Sequence, residues 1–147
     1  MENNKQQGNQ NYRKENVIVS IPLVDIKTYN RYFDDPDGVK QTLDEINWDL
    51  MAFPVIVYRK HVTGNPEMKG TTTIGAVNSF DKENNNFIVS VFGRYEDVIS
   101  EFEDVVVMPR VTLSASGRSV VVGLIVSPLS DFEWMLKPSN NQKGSRR

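Results

Sequence analysis

Two periods of hydrophobic and polar positions run along this chain. The clearest block lies between Asp104 and Pro128. Two runs dense in Val, Ile and Leu, at 105–114 and 119–127, flank a short turn containing Ser116 and Gly117. β-Branched residues suit a pleated, packed surface, and a short glycine-containing link joins antiparallel strands, so this block predicts a hairpin. Earlier in the chain Val17, Val19, Ile21 and Leu23 alternate with polar positions, which predicts a strand with one buried face. Pro22 has no N–H, so that strand belongs at a sheet edge or carries a bulge. Strands are also expected at 55–62, containing the single histidine His61, and at 71–80 and 87–95 around the polar turn Asp81–Asn86.

The helical period appears at one strong place. Val39, Leu43, Ile46 and Leu50 recur at spacings of four, three and four. Asp35 is a good N-cap, Pro36 suits the first turn, and Asp37 favours the positive end of the helix dipole. The spacing predicts a helix from about Pro36 to Ala52, ended by Pro54, and the residues before it, 29–35, read as an aromatic turn. Val98, Ile99 and Phe102 predict a short helix at 96–103, and 131–137 is expected to lie over a sheet edge. The sum is a mostly β protein: a small antiparallel β-barrel or sandwich of about six strands with one amphipathic helix packed on it. The order β-β-β-α-β-β from residue 55 onward is that of an OB-like barrel.

The two ends differ from this pattern. Residues 1–15 and 138–147 are polar and lack the apolar positions needed to offset ordering, so they read as disordered arms around a single domain at 16–137. Hydrophobic residues make up 39% of the chain. That lies below the usual range of about 45–50%, and the polar ends account for the shortfall. There is no apolar leader at the start and no apolar run of the roughly 18 residues needed to span a bilayer, so a soluble protein is expected, cytoplasmic or in a virion.

Charge is unevenly spread. Residues 1–15 carry Lys5, Arg13 and Lys14 against Glu2 and Glu15, a net +1. Residues 137–147 carry Lys137, Lys143, Arg146 and Arg147, a net +4. With a total of −2, the body between them holds −7. An acidic body is poorly suited to wrapping nucleic acid, whereas the basic end suits an acidic partner.

Candidate chemistry is sparse. With no cysteine, disulfides, thiolate zinc sites and thiol nucleophiles are excluded. The acidic cluster Asp34, Asp35 and Asp37 has the hard oxygens of a divalent-cation site, but helix capping already accounts for two of the three. His61 sits beside Lys60, and no motif places a Ser or Asp with it to complete a triad. No phosphate-binding glycine loop or nucleophile-elbow motif occurs. No catalytic residues, metal ligands or cofactor are therefore assigned.

Two functional expectations follow. The first is a non-enzymatic structural or assembly protein, an accessory component that decorates or cements a virus particle such as a phage capsid. It would act through its arms and sheet edges on other protein subunits, as a homo-oligomer or in a larger assembly. The alternative is an OB-like binder of single-stranded nucleic acid. On that reading Phe92 and Arg94 point outward from the central hairpin while Phe87, Val89 and Val91 point inward, and Arg59 and Lys60 on the preceding strand contact phosphates.

Overall fold

The computed structural model describes residues 15–135. The expected arms lie almost wholly outside that range. Six strands form one mixed sheet in the order β1-β4-β3-β2-β6-β5. They are β1 (Val17–Pro22), β2 (Pro54–Tyr58), β3 (Thr71–Asp81), β4 (Asn86–Val91), β5 (Val105–Leu113) and β6 (Ser119–Pro128). Strand outweighs helix, as the apolar runs predicted. The sheet is mixed because β2 and β6, far apart in sequence, pair in parallel through Val55–Leu124 and Ile56–Ile125; every other pairing is antiparallel.

Burial explains the strand order. In β4, Phe87, Val89 and Val91 are fully buried and alternate with half-buried Ile88 and Ser90. In β2 and β6 the apolar runs Val55–Val57 and Leu124–Val126 are buried without alternation. Such continuous runs belong to strands covered on both faces, and both of these strands are interior to the sheet. β1 is an edge strand, in agreement with Pro22, and β5 is the other edge. The sheet is not closed. Its two edges touch at a single bridge between Leu23 and Val107, where the Val24 N–H donates to the Val107 carbonyl at 3.0 Å.

Among the described residues, five short helices and a 3-10 turn accompany the sheet. α1 (Ile26–Tyr32) occupies most of the expected aromatic turn. Its N-cap Asp25 accepts the Thr28 N–H at 2.8 Å, and Tyr29, Tyr32 and Phe33 share the i, i+3, i+4 spacing of one helical face. α2 (Pro36–Glu45) begins as expected, with the Asp35 side chain accepting the Gly38 N–H at 3.1 Å. It ends earlier than expected, however. Ile46 is extended, and Trp48 folds back so that its indole N–H donates to the Leu43 carbonyl at 3.1 Å. The helix end is thus capped by a core side chain, while Leu50 and Met51 stand exposed.

β2 is also shorter than expected. It stops at Tyr58, and Arg59–Thr63 form α3, closed by Gly64 in the left-handed region at φ 76°. A 3-10 turn (Gly93–Tyr95) runs into α4 (Glu96–Ser100), near the expected short helix. α5 (Leu129–Met135) follows β6 directly. It packs Phe132, fully buried, edge-on to Tyr32 at 6.0 Å between ring centres.

Candidate functional site

The polar groups of greatest chemical interest converge where β2 and β6 end, because these parallel strands deliver α3 and α5 to the same end of the sheet. From α3 comes His61, whose Nε2 lies 2.8 Å from Asp131 Oδ2 on α5. Ser127, fully buried in β6, donates its hydroxyl to the same oxygen at 2.7 Å. Lys60 Nζ stands 3.6 Å from Asp131 Oδ1 and 5.8 Å from the centre of the Tyr58 ring. Phe102 packs edge-on to His61 at 4.8 Å.

The electrostatics follow from these contacts. Burial works against the charged form of Asp131, but the hydrogen bonds from Ser127 and His61 and the charge of Lys60 outweigh it and hold the carboxyl below its ordinary range. An ionised carboxylate only accepts, so His61 Nε2 donates. Burial pushes the Tyr58 phenol up; Tyr32 and Asp131 add to this and Arg110 works against it.

The sequence pattern gave no hint of these partners for His61, since Asp131 lies 70 residues away. The arrangement differs from a hydrolytic triad in its order. There the imidazole sits between hydroxyl and carboxylate and takes the hydroxyl proton. Here the carboxylate sits between, and the buried serine hydroxyl already donates to it. The cluster ties the end of β6, α3 and α5 together.

The residues of the nucleic-acid reading reach the same end of the sheet, although all four leave the strands on which they were expected. Arg59 and Lys60 are on α3, and Phe92 and Arg94 lie just past the end of β4, with Arg94 in the 3-10 turn. Phe92 points outward as expected and is 40% exposed. The Arg94 guanidinium stands 5.0 Å over the Tyr95 ring, and Phe92 lies 6.4 Å from the same ring. The two pairs hang from different points along the start of β3, one just before the strand and one within it. The Arg59 N–H donates to the Gly70 carbonyl and the Phe92 N–H to the Ile74 carbonyl, four residues or about 13 Å along an extended chain. Lys60 is moreover engaged by Asp131 and Tyr58.

Two hollows lie elsewhere. A groove of about 500 Å³ runs between β5 and the α1–α2 junction, with Tyr32, Phe33, Asp34, Asp35 and Arg110 among its walls. Arg110 is exposed there rather than buried. The Asp34–Asp37 cluster is explained at its centre by the Asp35 cap, and no group of three or more potential metal ligands occurs among the described residues. A smaller hollow of about 140 Å³ is bordered by Tyr29, Lys40, Asp44 and Phe80. Burial pushes the Tyr29 phenol up, with Asp44, Asp35 and Asp37 adding to it, and its hydroxyl has no hydrogen-bond partner among the described residues. No helix among the described residues is long and apolar enough to cross a membrane. No family model, curated protein or solved structure matches the chain.

Proposed function

We propose that the protein is a non-catalytic assembly component, a decorating or cementing subunit of a larger particle such as a virus capsid, which joins its neighbours through sheet edges. One observation carries this reading. β1 is an edge strand, and its outer face exposes Ile18 by 57%. Ile18 pairs with Ser90, two residues before Phe92, itself 40% exposed. Diagonal neighbours across paired strands lie about 7–8 Å apart, so the two exposed side chains stand close together beside a strand that has no further ladder partner among the described residues. Monomeric β-proteins usually blunt such edges with charge, and from Val17 to Ile21 β1 has none. An edge and an apolar patch together suit a neighbouring subunit.

The nucleic-acid reading is supported by Phe92 and Arg94 grouped on Tyr95, a surface of stacking rings and one cation. Its weakness is the separation from Arg59 and Lys60. One series of experiments tests both. Sedimentation of the full chain over a hundredfold range of concentration is expected to show association. Ile18→Lys and Phe92→Lys should each return it to monomer with an unchanged melting temperature. A monomer at every concentration that also fails to bind particles from its own source overturns the assembly reading. Co-sedimentation with a single-stranded oligonucleotide at low salt, lost on Arg94→Ala, replaces it with the alternative.

A further inference from the structure

The smaller hollow lies at the opposite end of the sheet from His61 and Asp131. Tyr58 pairs with Thr71 at the start of β3, whereas the hollow sits beside Phe80 near its end. The link from β1 into α1, the second half of α2 and the β3–β4 turn meet there. The Leu23 N–H holds the first to the third by donating to the Asn85 carbonyl at 2.8 Å. The inner wall is apolar: Val24 and Leu43 are buried, and Phe80 stacks on Phe87 at 4.2 Å between ring centres. The mouth is polar, because Asp25, Lys40, Asp44 and Asn85 are exposed. The volume of about 140 Å³ is close to the roughly 150 Å³ that admits a benzene ring, so the space suits a body of about six heavy atoms.

Two features of this hollow are left unused by the fold. The first is Tyr29, only 3% exposed, whose hydroxyl is closed off from solvent and has no hydrogen-bond partner among the described residues. Buried hydroxyls normally find a partner, and one left without it costs stability. Burial pushes the phenol up, and of the carboxylates that add to this Asp44 acts most strongly, so the hydroxyl lies towards the Asp44 side of the hollow. The second is a pair of opposite charges one turn apart on α2. Among the described residues, neither Lys40 nor the Asp44 carboxylate forms a salt bridge. Lys82, which donates to the Asp44 carbonyl at 2.9 Å, adds a second ammonium group against Asp25 and Asp44. The mouth thus has both signs in balance.

We propose that this hollow binds a free apolar amino acid of the size of valine or leucine. Its side chain lies against Val24, Leu43 and Phe80. Its carboxylate accepts from the Tyr29 hydroxyl and from Lys40, a charge-assisted pairing that gives the buried donor its acceptor. Its ammonium group faces Asp44. A zwitterion answers both charges of the mouth at once, which a ligand of net charge does not. The bound molecule ties the β1–α1 link to α2 and so stabilises the folded chain. This inference does not depend on the assembly reading.

Titration calorimetry of the full chain with L-leucine and L-valine is expected to show saturable binding. Melting temperature should rise with either, and the amide resonances of Val24, Leu43 and Asn85 should shift. Isocaproate, which lacks the ammonium group, and isoamylamine, which lacks the carboxylate, should each bind at least about tenfold more weakly than leucine. Tyr29→Phe removes only the hydroxyl. It should weaken leucine binding by about tenfold or more, while the free variant melts no lower than the wild type. Asp44→Asn, at an exposed position, should give an independent loss of similar size. The absence of saturable binding by both amino acids overturns the proposal. Undiminished affinity in Tyr29→Phe and Asp44→Asn also overturns it, by placing the binding elsewhere. A singly charged analogue that binds as tightly as leucine overturns the zwitterionic assignment, and a lower melting temperature of free Tyr29→Phe shows the hydroxyl already partnered and removes the premise.

Discussion

Asp131 shows how much one side chain does at the busy end of the sheet. Its Oδ2 accepts from both Ser127 and His61, joining the end of a strand to two short helices. Ser127 is fully buried, so its hydroxyl depends on that oxygen. Asp131→Ala leaves it without an acceptor and is expected to cost about 1–3 kcal/mol at neutral pH, measured by urea unfolding. The pH dependence has a definite sign. The carboxyl is held below its ordinary value of 3.8 in the folded protein. A depressed carboxylate contributes stability above its unfolded pKa and loses it as pH falls through the folded value. The gap between wild type and Asp131→Ala should therefore be full at pH 6–7 and narrow below about pH 4. A gap unchanged down to pH 2.5 would assign the effect to packing instead.

The helices show where local signals compete with the core. The hydrophobic stripe through Leu50 predicted a helix seven residues longer than α2, because periodicity does not register that Trp48 is worth more inside. There it meets Phe53, Phe80 and Phe87 within about 6 Å, and its indole satisfies the last turn. Trp48→Phe keeps an aromatic ring in place but removes the donor to Leu43. A loss of about 1–3 kcal/mol is expected, with a smaller loss for Phe53→Leu; equal losses would show that the cap contributes nothing. Other boundaries were present in the sequence in signals of smaller extent. Asp25, with Tyr29, Tyr32 and Phe33 spaced behind it, marks α1, and Gly64 marks the end of α3. Both helices are short, so an expectation built on long periodic runs gives a turn for one and a strand for the other.

For the whole molecule, the legible parts were those made by neighbours in sequence. The β3–β4 and β5–β6 hairpins, the start of α2, the short helix after β4 and the edge position of β1 all follow from residues close together along the chain. The parallel pairing of β2 with β6 does not, since neither strand encodes its partner. The contact between His61 and Asp131 depends on that pairing and was hidden with it. The groove beside β5 was hidden for the same reason: it is the space left between elements, and no residue pattern records it.

The single bridge between Leu23 and Val107 has a consequence for the order of folding. Its partners are 84 residues apart, the span between the two positions. Such a contact recovers little on its own against the entropy of closing so long a loop. It forms cheaply only once the hairpins and the β2–β6 pairing have brought the two edges together, so it should be a late event. By the same reasoning it is the first tie to break. In native-state exchange, the Val24 amide should open at a lower free energy than the amides of Val77 or Val89 in the middle of the sheet. If Val24 instead opens only with global unfolding, the two edges fold as one cooperative unit and the bridge is part of the nucleus.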